Sequence, residues 1–235
     1  MTRRLLLLFV LLLPAMLAAT LPLGLALETA GARKWGLSAR HAGGNTWNGR
    51  LLDASIRGLA LGNAQARLLP LRLLAGDLAV WISTPDLRAQ VLAGRRWGVQ
   101  DLHGHFSLPT HALASALPVQ VQADGLQVLF ADDACHAASG RVVLSSDAAA
   151  GAPMLVLEGS PACEGRAAVL PLAAVAGEGP LARMQASLRV HADGQWELEA
   201  RIPVVEHPSA RIALEAAGFL PGPGGWSRVE RGRMD

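Results

Sequence analysis

The sequence predicts an all-β protein: a long antiparallel sheet, built as a meander of short strands, that curls or folds over on itself. One N-terminal transmembrane helix and one or two short helices complete the expected fold. Three observations carry this. Apolar and polar residues alternate over short runs, which is the period of half-buried strands. Gly, Pro and Asp-Gly pairs interrupt those runs at near-regular spacing. The N-terminus opens on an apolar run long enough to cross a bilayer.

That first run is Leu5 to Leu27, which follows Thr2-Arg3-Arg4 and contains no charged residue. As a helix rising 1.5 Å per residue it spans roughly 34 Å, against a hydrocarbon core of about 30 Å. Pro14 and Pro22 would kink it, which membrane helices tolerate. Arg3 and Arg4 favour a cytoplasmic N-terminus, a bias that Arg33 and Lys34 on the far side weaken. The competing reading is a cleaved secretory signal, for which Ala30-Gly31-Ala32 has the required small-x-small form. The apolar run before it exceeds the about 7–15 residues of such signals. The expected division is therefore residues 1–4 as a cytoplasmic tail, 5–27 as an uncleaved anchor and 28–235 as an exported β domain. Both readings export the remainder.

The 235 residues suit one domain, or one domain with an appendage. With 51% hydrophobic and 17% charged residues, the chain can bury a core and is too apolar to be disordered. Net charge is +2, and the arginines are scattered singly with few aromatics near them, which speaks against a nucleic-acid partner. Two cysteines, Cys135 and Cys163, are too few for a disulfide scaffold or a structural zinc site. In an oxidising exported compartment they are expected to pair, closing a loop of about 28 residues worth on the order of 3–4 kcal/mol.

The strands follow in order. Thr46-Trp47-Asn48-Gly49 reads as a turn that hands an aromatic to a strand, Leu51 to Arg57. That strand is expected to place Leu52, Ala54 and Ile56 on one face and Asp53, Ser55 and Arg57 on the other. Gly58 and Gly62-Asn63 read as punctuation before a second run, Ala64 to Leu69. Asp77 to Thr84, Leu87 to Leu92, and Trp97 to Leu102 continue the pattern, the last two joined by a turn at Gly94-Arg95-Arg96. His103 to Leu108 leads to Pro109, and Thr110 to Leu117 reads as one or two helical turns. Val119 to Ala123 and Leu126 to Phe130 flank Asp124-Gly125, a two-residue hairpin signal. Three further strands surround the cysteines, and Ala182 to His191 and Gln195 to Ile202 flank a tight turn at Ala192-Asp193-Gly194. Pro208 to Ala217 is the best helix outside the anchor, closed by Gly218, and Trp226 to Val229 makes a last short strand.

Signals of chemistry are sparse. The chain has no phosphate-binding Gly-rich loop with Lys-Ser/Thr, no G-x-S-x-G and no H-E-x-x-H. Neither a catalytic residue nor a cofactor is expected. His103 and His105 share a strand face, but no accompanying ligand set is spaced to make them a metal site. Asp132-Asp133 reads as a turn, with a contribution to a calcium site as the alternative. Cys135 and His136 are adjacent on a strand and so point to opposite faces, which rules out a nucleophile–base pair within it. Most of the six tryptophans read as strand-packing residues. Trp47, in its Gly-rich setting, is the candidate contact residue, with core closure as the alternative.

Taken in order, these landmarks resemble protein N of the bacterial type II secretion system, the GspN family. They are the N-terminal anchor, G-N-T-W-N-G at Gly44 to Gly49, L-P-L-R-L-L-A-G at Leu69 to Gly76, and Leu117-Pro118-Val119. Next come Cys135 with Ala138 to Val142, Cys163 with Pro171-Leu172, and His191-Ala192-Asp193-Gly194. Leu214 to Leu220 (LEAAGFL) and Arg231-Gly232 close the set. The resemblance implies a non-enzymatic component of the secretion machinery, single-pass in the bacterial inner membrane, with its main domain in the periplasm. Its partners would be other inner-membrane or periplasmic subunits, with membrane lipid contacted through the anchor. The architecture is also similar to AsmA-like proteins, which implies the alternative of a lipid-binding or lipid-transfer module with an apolar β groove.

Overall fold

The structure, a computed structural model, describes residues 16, 20–29, 37–56, 59–69, 72, 76–108, 119–146, 155–203, 205 and 207–233. The helix expected over Thr110 to Leu117 lies outside the described residues, as does the expected anchor up to residue 19, except Met16. The chain is mostly β, as expected, and every described strand pair is antiparallel. Two compact units divide it, Met1–Pro85 and Asp86–Asp235.

The first unit holds helix α1 (Leu23–Thr29) and strands β1 (Leu37–Ser38), β2 (His41–Asn45), β3 (Asn48–Ile56), β4 (Leu59–Leu68) and β5 (Asp77–Ser83). Its strands run in the order β1-β3-β4-β5, with β2 also paired to β3. Leu51, Ala54, Ala64 and Ala66 are buried together with Leu23 of α1. Ala54 thus faces inward, but Leu52, expected on the same face as Ala54, is 45% exposed, and Leu51 is buried in its stead. The cause is a bulge: Leu51 faces Ala64 and Ala54 faces Gly62, so Leu52 and Asp53 oppose the single Asn63. Asp53 takes a positive φ of 50° there, and its N–H lies 3.4 Å from Asn63 Oδ1. Gly62-Asn63, expected as a strand break, thus lies inside β4.

The second unit holds β6 (Leu87–Gly94), β7 (Arg96–Leu108), β8 (Val119–Ala131), β9 (Ala134–Ser146), β10 (Leu155–Gly159), β11 (Ala162–Glu164) and β12 (Ala167–Gly177). A 3-10 turn (Gly179–Arg183), β13 (Gln185–His191), β14 (Gln195–Ile202), α2 (Pro208–Ala216), β15 (Leu220–Gly222) and β16 (Gly225–Arg233) follow. The strand order is β6-β7-β8-β9-β10-β12-β13-β14-β16-β15, with β11 on β12. Three of these strands are long, and that corrects the expected pattern of short ones. Asp124-Gly125 does not turn the chain: β8 runs through it, and Gly125 (φ 60°) sits in a bulge between the Asp124–Arg141 and Gln127–Ser139 pairs. Trp97 to Leu102 and His103 to Leu108 likewise merge into β7, with Asp101 (φ 52°) in a bulge between the Val99–Val128 and Leu102–Leu126 pairs. The expected turns at Gly94-Arg95-Arg96 and Ala192-Asp193-Gly194 are present. In the second, Gly194 N–H donates to His191 O and Gln195 N–H to Asp193 Oδ1, each at 3.0 Å.

Register gives this unit two chemically distinct faces. One carries Val121, Leu144, Leu157 and Ala174, then Leu172, Ala186 and Ala200 across the later strands. The other carries Gln122, Glu158, Gln185 and Arg201 at the neighbouring registers. Helix α2 closes the apolar side: Leu214, Phe219 and Val205 are buried with Leu157, Leu172, Ala186, Ala200 and Ile202. Pro208 starts α2 with its ready-set φ. Gly218 ends it at φ 82°, where its N–H donates to Glu215 O and the Phe219 N–H to Leu214 O, both 2.9 Å. That cap turns Phe219 back beside Leu214 in the core.

Cys135 and Cys163 are bonded, with Cα atoms 5.5 Å apart. Their placement explains what the bond does. Strands β10 and β11 lie along the same edge of β12, β10 opposite residues 172–177 and β11 opposite 167–169. The β9–β10 ladder ends at the Val142–Gly159 pair, and the disulfide links β9 to the three-residue β11 beyond that point. Replacing both cysteines with serine is expected to lower stability by about 2–4 kcal/mol. Urea unfolding measures this, and amide exchange should rise first in residues 162–164.

Candidate functional site

The G-N-T-W-N-G stretch builds a fixed docking point for the N-terminal segment. Thr46-Trp47 is a two-residue turn between β2 and β3. Asn45 Oδ1 shapes it by accepting from the Trp47 N–H (3.2 Å) and the Asn48 N–H (2.8 Å), an Asx turn. Thr46 then ties the turn outward. Its N–H and its hydroxyl both donate to Leu21 O, at 3.0 and 2.9 Å, while its own carbonyl accepts from the Leu68 N–H at 3.2 Å. Pro22 forms an antiparallel bridge with Asn45. One step on, Leu23 is 5% exposed and lies directly over Gly49. A Cβ on Gly49 would come within 2.2 Å of Leu23 Cδ2, so a larger residue there would push that leucine aside.

Trp47 itself is half-buried, so its ring is neither a closed core residue nor fully solvated. The turn was legible in the sequence, but its partner was not. Leu21-Pro22-Leu23 reads as the end of an apolar helix, and only the mismatch of Pro22 with a helix interior signalled otherwise.

The other candidates separate from one another. His103 Nδ1 is 2.9 Å from Asp124 Oδ1 and 3.1 Å from the Gly125 N–H, so it donates to the carboxylate when protonated and accepts from the amide when not. His105 instead faces Asp86, 3.6 Å away. No group of three or more metal-ligating side chains occurs among the described residues. Asp132 and Asp133 both have positive φ (49° and 58°) and form the β8–β9 turn; the Arg166 Nε–H donates to Asp133 O at 3.0 Å. The bonded state of Cys135 leaves no thiol beside the exposed His136.

A depression of about 600 Å³ opens on the polar side of the second unit. Pro171, Ala173, Glu158, Gln185, Glu199 and Arg201 are among the residues that line it. Its carboxylates are matched by guanidinium groups: Glu158 with Arg141 at 2.7 Å, Glu199 with Arg201 at 2.6 Å. The hydrogen bond to Glu158 holds the Arg141 guanidinium above its ordinary range. These groups form a surface of paired charges.

A family model described as type II secretion system (T2SS), protein N, matches residues 35–229. No curated protein and no solved structure matches the chain. The docking point itself, residues 44–49, falls within the matched span.

Gly49→Ala is expected to displace Leu23 and destabilise the first unit by about 1–3 kcal/mol through overpacking. Limited proteolysis should then cut residues 20–29 faster, while β12–β16 amide exchange stays unchanged.

Proposed function

We propose that this chain, which belongs to the type II secretion system protein N family, is a non-enzymatic assembly subunit of that system. In this reading it is anchored once in the bacterial inner membrane, holds its β units in the periplasm, and helps carry folded exoproteins across the outer membrane by binding other subunits. The observation that supports it most is the last long strand. β15 covers β16 only at residues 225–227, so from Val229 to Gly232 the outer edge of β16 borders no other strand among the described residues. Such an edge accepts a partner strand by backbone hydrogen bonding. Val229 is 44% exposed there and Leu220, diagonally across on β15, 71%.

The strand is tied to its inner neighbour by a charge pair. Arg231 reaches Glu197 of β14 at 3.2 Å, and that hydrogen bond holds the Glu197 carboxyl below its ordinary range. A lowered carboxyl pKa favours the folded state above the unfolded value and loses that contribution as pH falls through the folded value. Arg231→Ala should therefore move the Glu197 titration up toward the usual carboxylate range, as followed by NMR of the side-chain carboxyl.

The acyl-groove alternative asks for an open apolar trough. Under α2, the apolar side of the second unit is filled by Leu214, Phe219 and Val205, which favours the subunit-binding reading. Photo-reactive residues in place of Val229 and of Trp47, crosslinked in native membranes, test the two. Adducts at Val229 to other secretion subunits are the expected result. Adducts to phospholipid alone at both positions would overturn the proposal in favour of lipid handling.

A further inference from the structure

The point at which the chain leaves the bilayer is set by the folded first unit. Met16 and Thr20 are helical, and the Thr20 hydroxyl donates back to Met16 O at 2.9 Å, the way a hydroxyl is satisfied where water is scarce. Leu21 and Pro22 leave the helix, the first accepting two bonds from Thr46 and the second bridging Asn45. Leu23 is then committed to the protein core. The apolar run available to cross a membrane therefore ends at Thr20, since Leu23 cannot lie in lipid and in the core at once. Residues 5–20 carry no charge, but as a helix they would reach only about 24 Å of a core of about 30 Å. A run that is too short draws its flanking residues into the interface.

The flanking residues here suit that place. Leu21 and Leu25 are 40% and 53% exposed, while their neighbour Leu23 is buried. α1 thus turns Leu25 outward and Leu23 inward, and Leu21 just before it is exposed as well. Trp47 lies one residue from the Thr46–Leu21 bonds, in the turn that holds the exit point. Indole rings prefer the headgroup level, where an apolar body and a polar N–H are both accommodated. We infer that residues 21–25 and the Trp47 turn form a lipid-facing surface that seats the first unit on the bilayer at headgroup depth. This rests on the membrane-anchored reading given above, and its occupant is the phospholipid surface itself.

The test uses the full chain in vesicles of phosphatidylethanolamine and phosphatidylglycerol, with lipids brominated at shallow or deep acyl positions. The Trp47 signal is the fluorescence of the wild type less that of Trp47→Phe. An environment-sensitive probe on Leu25→Cys gives a second readout that leaves the turn intact, and the disulfide leaves the new thiol as the labelling site. Shallow bromines are expected to quench both signals about two-fold more than deep ones. If the protein floats with the vesicles and neither probe is quenched, the seating surface is wrong and the anchor stands. If the protein does not float, the anchored reading fails and this inference fails with it.

Discussion

A backbone ladder satisfies N–H and C=O groups but leaves each sheet with two faces, and the described residues hold few helices with which to cover them. Bulges are its answer to that constraint. At Asp53, Asp101 and Gly125 the ladder takes an extra residue with positive φ, and the strand changes which residues it turns inward. Leu51 and Ala54, three apart, both become core residues because Asp53 sits between them. The apolar side of the second unit then needs cover where it is richest, and α2 supplies it. The Schellman cap at Gly218 returns the chain so that Phe219 joins Leu214 on the same core.

That device also marks where the sequence could be read and where it could not. The antiparallel class, α2 with its Pro start and Gly stop, and the Gly94 and Asp193-Gly194 turns follow from local signals, and the Cys135–Cys163 pair from the cysteine count and the expected export. Asp124-Gly125 has the sequence of a hairpin turn yet lies in a bulge, because a bulge and a tight turn require the same backbone. Each needs a residue tolerant of positive φ, and only the pairing of β8 with β7 and β9 decides between them. The facing of Leu52 failed for the same reason, since one inserted residue reverses the alternation downstream. Asp132-Asp133, two positive-φ residues followed by a strand that pairs straight back, is the contrasting case in which the turn reading holds.

At the docking point the ambiguity was of another kind. Leu21, Leu23 and Leu25 carry the same hydrophobicity whether they face lipid or protein, so composition cannot assign them. What separates them is the glycine at 49, whose missing Cβ is meaningful only once Leu23 is seen above it. The Gly-rich turn therefore does two jobs that the sequence shows as one motif. It admits a leucine from a distant segment, and it presents Thr46 to hold that segment by its backbone.

This geometry also bears on processing. The small-residue site at Ala30-Gly31-Ala32 lies after α1, so a cut there would detach Leu23 from the core it shares with Leu51 and Ala64. Losing a buried leucine costs about 2–5 kcal/mol in a packed core, and the two Thr46 bonds to Leu21 would be lost with it. A domain built to survive such a cut would be expected to complete its core downstream of the site. Here the core is completed upstream, by a residue from the segment that the cut would remove. The physical consequence of the arrangement is rigidity: a segment that shares the core of the first unit is fixed against it at Leu23 and Thr46, whereas a segment outside the fold would be free to swing.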